Sequence, residues 1–390
     1  MTNPLIKSIT ALVILLPFSS FSQKKNADDI KFKKHVLLAE FVSEGAAVGD
    51  INKDGKTDVI AGAYWFEAPA WQKHEISKPV QYFYDKGYSD SFIDYSMDVN
   101  NDGWTDVIIV GFPGKEVKWF ENPKNKPGHW KERIVFATAG NESPGFYDMD
   151  NDGRKDLLCA DVEQRRMIWV KAPKAKNDTV WTVYPISENN VPGTERFSHG
   201  LGYGDINKDG KKDVIIKEGW WEAPSNRKQA SWKFHEAALG ENCSQMHAID
   251  VDKDGDNDVI SCSAHTFGIW WHEQVKEGNA EPSWKTHLIT KEFSQTHATS
   301  LIDINKDGNP DLVTGKRYFA HMGNDPGEFQ VPVLYWFEFK PGKEPQWVPH
   351  LIDDDSGVGT QVLTEDITKD KLTDIIVANK KGVFVFEQIK

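Results

Sequence analysis

The chain is poor in cysteine, with three in 390 residues (Cys159, Cys243 and Cys262). Disulfides therefore cannot be its scaffold; the count leaves room for one bridge and at least one free thiol. Long apolar runs are also missing. The stretch ITALVILLPF at 9–18 is shorter than the roughly 18 apolar residues a spanning helix needs, and nothing later approaches that length. With Lys7 ahead of it and Ser20-Phe21-Ser22 behind, it reads as the core of a cleavable signal peptide over residues 1–22. The expectation is a secreted or periplasmic chain whose mature part, 23–390, forms one domain. No basic tract interrupts a formal charge of −13, which excludes nucleic acid as a natural partner. Neither G-x-S-x-G nor H-E-x-x-H occurs, so hydrolases built on those motifs have no support. The sequence carries no signal for oligomeric state.

What is present is repetition. A nine-residue phrase recurs as DINKDGKTD (50–58), DVNNDGWTD (98–106), DMDNDGRKD (148–156), DINKDGKKD (205–213), DVDKDGDND (250–258), DINKDGNPD (303–311) and DITKDKLTD (366–374). Oxygen ligands at positions 1, 3, 5 and 9 with glycine at 6 are hard-cation chemistry, as in the first half of an EF-hand loop. The flanks are strands and the twelfth-position glutamate is missing, so this is not an EF-hand. Calcium is expected in six loops, at affinities of about 10⁻⁴–10⁻³ M. The ligands would be Asp50, Asn52, Asp54 and Asp58, then Asp98, Asn100, Asp102 and Asp106, then Asp148, Asp150, Asp152 and Asp156. The next three loops offer Asp205, Asn207, Asp209 and Asp213, then Asp250, Asp252, Asp254 and Asp258, then Asp303, Asn305, Asp307 and Asp311. The alternative is an Asp/Asn turn held by its own hydrogen bonds. The seventh loop has Thr368 at position 3 and Lys371 in place of glycine, and is expected to hold no ion.

Around each loop the strand signals also repeat. An apolar strand follows the loop (VIAGA at 59–63, VIIVGF at 107–112), then an aromatic one (YWFEAP at 64–69, GWWEAP at 219–224), then a phrase such as WKTHLI at 284–289. Four short strands per unit predict an all-β, seven-bladed β-propeller. The last unit lacks its fourth strand, and FKKHVLL at 32–38 supplies it, closing the ring and removing open edges. Most of the 15 tryptophans recur at template positions, which assigns them to packing between blades.

The repeat also sorts the histidines. His35, His74, His235, His287 and His350 occupy the repeated outer phrase, His129 lies beside it and His272 sits in an aromatic strand; all seven read as scaffold. His199, His247, His265, His297 and His321 are off-template. His199 and His297 precede their loop's first aspartate by six residues and His247 by three, while His265 and His321 follow second strands. All should face one end of the channel, opposite the carboxylate loops. Glu44 and Glu142 share the six-residue offset, and Lys316, Arg317 and Tyr318 lie on the long turn of 314–333 that also carries His321. A pocket there would place a transition metal, zinc or another, on His199, His247 and His297, with His265 also a candidate ligand. His265 or His321 would act as base, Arg317 and Lys316 would stabilise negative charge, and Tyr318 would protonate a leaving group.

The loops resemble the FG-GAP/VCBS repeat family. More narrowly, FSHGLGYGDINKDGKKDVIIKEGWWEAP (197–224), SQMHAIDVDKDGDNDVISCSAHTFGIWWHEQ (244–274) and SQTHATSLIDINKDGNPDLVTGKRYFAH (294–321) resemble the propeller domain of aldos-2-ulose dehydratases. That resemblance implies elimination of water from a keto sugar such as 1,5-anhydrofructose, with zinc at the bottom of a propeller cleft. The chain has no room for the cupin and lectin-like domains those enzymes append. The expected function is a metal-dependent carbohydrate lyase or dehydratase that removes water or another β-substituent. The alternative is a non-catalytic, calcium-stabilised propeller that binds glycans or proteins.

Overall fold

A computed structural model describes residue 27 and residues 30–276, 278 and 281–390. The expected signal peptide, 1–22, lies outside the described residues. The fold is all-β, with 27 strands among the described residues and no helix long and apolar enough to cross a membrane.

The strands form seven antiparallel four-stranded modules. The first is Ala47–Gly49, Asp58–Ala61, Tyr64–Glu67 and Gln72–Glu75. The second and third share one sheet, because the 17-residue strand Lys131–Tyr147 ends one and begins the other. The fourth and fifth share another through parallel pairing of Leu201 with Gln245 and Gly202 with Met246. The seventh is Val362–Glu365, Asp374–Asn379 and Gly382–Ile389, completed by Lys31–Leu38, whose Lys31 faces Ile389. Neighbouring modules touch in succession. Glu44 N donates to Ser91 O, Glu142 N to Ser198 O, and Thr299 N to Gln245 Oε1. Ser300 Oγ meets Thr364 Oγ1, and Thr360 N donates to Glu44 O, so the seventh module contacts the first.

The nine-residue loops have two architectural jobs. Their fourth residue is left-handed in all seven, with φ from 54° to 65°, and the sixth is left-handed too. Glycine supplies that sixth conformation without a Cβ clash; Lys371, at φ 71°, adopts it in the seventh loop. The ninth-position aspartate, buried in every copy, accepts two backbone N–H bonds of 2.8–3.2 Å. One comes from the loop's second residue and one from the end of the third strand, as with Ile304 and Phe339 on Asp311. Each such bond contributes about 1 kcal/mol net, so one side chain fixes both the loop and the aromatic strand.

The template histidines are structural. His74, His235, His287 and His350 lie flat on Trp65, Trp220, Trp271 and Trp336, with centroids 4.1–4.3 Å apart. The first three also bind the glutamate that ends their aromatic strand, at 2.6–2.8 Å. The three cysteines are buried and unbridged.

Candidate metal and catalytic site

Each module alternates strand direction, so residues before its first strand and after its second share one end, and the aspartate loop occupies the other. Four off-template histidines meet at the first of these ends. Ring centroids are 4.8 Å apart for His199 and His265, 4.3 Å for His265 and His321, 5.0 Å for His297 and His321, and 6.4 Å for His199 and His297.

The inner group is Glu142, His199 and His297, whose ligand atoms lie within 4.8 Å of one another. His199 Nδ1 donates to Phe197 O at 2.9 Å and His297 Nδ1 to Gln295 O at 3.2 Å. That fixes the tautomer and leaves each Nε2 with its lone pair, the usual preparation of a metal-binding imidazole. Both Nε2 atoms are buried without a hydrogen-bond partner. Glu142 Oε2 is 3.3 Å from His199 Nε2, a contact out of line for a hydrogen bond since the nitrogen stays unpartnered.

The outer group is His265, His321 and Asp325, again within 4.8 Å, and it is more open to solvent. His265 Nδ1 donates to Asp325 Oδ2 at 2.8 Å, which turns the opposite ring nitrogen into an oriented base. His321 Nδ1 approaches the same oxygen to 2.5 Å but makes no aligned hydrogen bond. Burial and the nearby Arg317 charge push His321 down to about 2 and hold His297 well below the ordinary imidazole value. Both rings are therefore neutral near pH 7.

Three cations lie near the imidazoles in buried positions. Arg317 pairs with Glu44 and sits against the faces of Tyr88 and Phe92, 5.4 and 5.3 Å from their centroids. Its Nε and Nη1 are buried and unpartnered. Lys316 bonds Gln295, which in turn reaches Glu328 at 2.5 Å. Lys380 donates to Phe319 O at 2.9 Å. Burial lowers both lysines to about 8.

Two expectations are corrected. His247 stands apart from the four imidazoles: its Nε2 lies 2.9 Å from Thr299 Oγ1, and that hydroxyl spends its proton on Gln245 O. The imidazole must therefore donate there, so this nitrogen has no lone pair for a metal. At three residues before its loop, His247 falls within the strand Gln245–Ile249, whereas His199 and His297 precede theirs. Tyr318 joins an aromatic rim instead of the imidazoles: its ring lies 5.7 Å from Tyr84, with Lys381 Nζ 5.2 Å from its centroid. Asp325, Glu328, Gln295 and Lys380 escaped the sequence reading. The spacing of His321 and Asp325, four apart within the one anomalous turn, was the available signal for the first.

At the opposite end, three carboxylates converge in the third loop (Asp148, Asp150, Asp156) and the fifth (Asp250, Asp252, Asp254). Asp50 Oδ1, Asp150 Oδ1 and Asp250 Oδ1 are buried without a partner. Burial raises Asp58 to about 6 and Asp106, Asp156, Asp213, Asp258 and Asp311 to about 7. The unpartnered oxygens of Asp50, Asp150 and Asp250 beside these buried carboxyls fit a hard cation. In the third loop the Lys171 ammonium already lies 2.6 Å from Asp150 and 2.7 Å from Asp152. In the seventh, Lys371 binds Asp366 through its backbone N–H, at 2.8 Å.

Comparison with protein families finds an FG-GAP-like repeat over residues 98–159 and 250–314 and an FG-GAP repeat over 43–69. The chain carries FG-GAP repeats. No curated protein matches it in sequence. Among solved structures, it is similar to an Agrocybe aegerita protein that recognises non-reducing terminal N-acetylglucosamine, at 15% identity and TM-score 0.46, over 84% of this chain and 82% of that one. It is also similar to a rhamnogalacturonan lyase from Bacillus licheniformis, at 10% identity and TM-score 0.46, over 93% and 73%. The Vibrio cholerae biofilm matrix protein Bap1 matches at 11% identity and TM-score 0.41, over 93% and 84%. At these scores none of the three carries an argument about function.

Proposed function

We propose that residues 23–390 form one secreted, closed seven-bladed β-propeller that acts as a metal-dependent carbohydrate lyase or dehydratase on a keto sugar or related substrate. The succession of module contacts and the sheet shared by Lys31–Leu38 and Gly382–Ile389 support the closed ring. The observation that carries the activity is the meeting of four imidazoles with Glu142 and Asp325, two of them holding buried, uncommitted Nε2 lone pairs.

Glu142, His199 and His297 would hold a transition metal, a donor set of two imidazoles and one carboxylate. When bound, the metal supplies Lewis acidity toward a substrate carbonyl. His265, oriented by Asp325 and the most exposed of the four histidines, takes the proton alpha to that carbonyl. Arg317 and Lys316 contribute the positive field that favours an enolate. The carbohydrate assignment rests on the residues of 197–321 that resemble aldos-2-ulose dehydratases.

The test is absorbance of a conjugated enone with 2-keto sugars, 3-keto sugars and polysaccharide uronates, using protein loaded with zinc or manganese. His265→Gln should lower turnover about 10²–10⁴-fold, and His199→Ala with His297→Ala should remove the metal. Absence of product from every substrate refutes the enzyme. A binding-only propeller draws on the exposed rings Tyr84, Phe197 and Phe329. It predicts glycan binding without turnover, lost on changing those rings and kept on changing the histidines.

A further inference from the structure

We infer that the molecule has a second ligand site, for a neutral oligosaccharide, between its first and second modules. It goes beyond the imidazole site and does not depend on any activity there. A cavity of about 540 Å³ opens at this place, within the ~300–1,000 Å³ common for small-molecule sites. Its apolar lining combines the rings of Tyr64, Tyr82 and Phe120 with Val42, Val80 and Ile109. Tyr82 is held in place: its ring lies 5.6 Å from Phe41, and its oxygen accepts Asp90 N–H at 3.2 Å.

The polar lining sets the ligand's charge. Three lysines and three acids face the cavity, and all but the exposed Lys78 are paired. Lys115 Nζ is 2.5 Å from Asp90, and Lys118 Nζ is 2.9 Å from Glu132 and 3.9 Å from Glu116. With Lys78 the lining sums to zero. A dianionic ligand finds only Lys78 unpaired, and its second charge would have to split one of these pairs. A neutral polyhydroxylated ligand can lay a C–H face on the partly exposed Tyr82 ring and bond to both members of a pair, using donors and acceptors alike.

The segment that walls the cavity also reaches the imidazole end. Ser89 N, one residue before the lining acid Asp90, donates to Glu44 Oε2, and Glu44 is the partner of Arg317. A glycan seated here would be tethered beside that end without touching the histidines.

Isothermal titration of the full chain with cellobiose, maltose and chitobiose, and with digalacturonate as the charged counterpart, tests this. At least one neutral disaccharide should bind and digalacturonate should bind at least 10-fold more weakly. Tyr82→Ala should weaken the neutral ligand 10-fold or more. Glu132→Gln, at an exposed position that folding does not depend on, should weaken it several-fold, and His199→Ala should leave it unchanged. The inference is overturned if no neutral probe binds, if digalacturonate binds as tightly, if Glu132→Gln has no effect, or if His199→Ala abolishes binding.

Discussion

His272 makes folding sensitive to mild acid. It is 1% exposed, with Nε2 2.7 Å from Ser261 Oγ and Nδ1 3.0 Å from Thr286 Oγ1. Burial, aided by His287, lowers it from 6.5 to about 4. The unfolded chain therefore binds the proton more readily, and stability rises with pH across this window. The contribution is complete above about pH 6.5 and is lost as pH falls through about 4. A shift of about 2.5 units at 1.36 kcal/mol each comes to about 3 kcal/mol. His272→Gln should cost about 1–2 kcal/mol at pH 7 through imperfect hydrogen bonds. That deficit should shrink as pH is lowered and change sign between about pH 6 and 5, because the variant has no imidazole to protonate. Urea unfolding followed by tryptophan fluorescence at pH 7.5, 6.5, 5.5 and 4.5 measures both curves. Parallel curves over that range would refute the argument.

Gly240 abuts the same pair, and a Cβ there would come within 2.5 Å of Ser261 Oγ at a φ of +108°. Gly240→Ala should cost about 1–3 kcal/mol, read by thermal unfolding, whereas Gly255→Ala, with open space around it, should show backbone strain alone. His235→Ala removes both the face-to-face contact with Trp220 and the bond to Glu222. About 1 kcal/mol should be lost, detectable as a lower urea midpoint with an unchanged slope. Chelation with EGTA should lower the melting temperature by several degrees, and Lys171→Met should raise the calcium content by one ion per chain if the ammonium excludes a cation from the third loop.

Much of the scaffold was legible because its signals repeat. The seven four-stranded modules, the scaffold role of the template histidines and the N-terminal strand pairing all follow from a template that announces itself seven times. The convergence of His199, His265, His297 and His321 was legible too, because strand alternation assigns residues to ends without any knowledge of side-chain angles. His247 was misplaced because three residues and six residues before a loop differ by the boundary of a strand, which the sequence does not mark. Asp325 was hidden in a turn with no period, where only the folded path brings its carboxylate to His265. The buried partners of Lys316 and Arg317, Gln295 and Glu44, lie 21 and 273 positions away.

The shared sheet of Lys31–Leu38 and Gly382–Ile389 has a consequence for biosynthesis. Lys31–Leu38 must wait longest for its partner, which emerges some 350 residues later. Until then the chain carries an unpaired edge, a standing invitation to the wrong neighbour. Synthesis and folding are thereby coupled: a nascent chain interrupted before Gly382–Ile389 leaves Lys31–Leu38 without its strand partner.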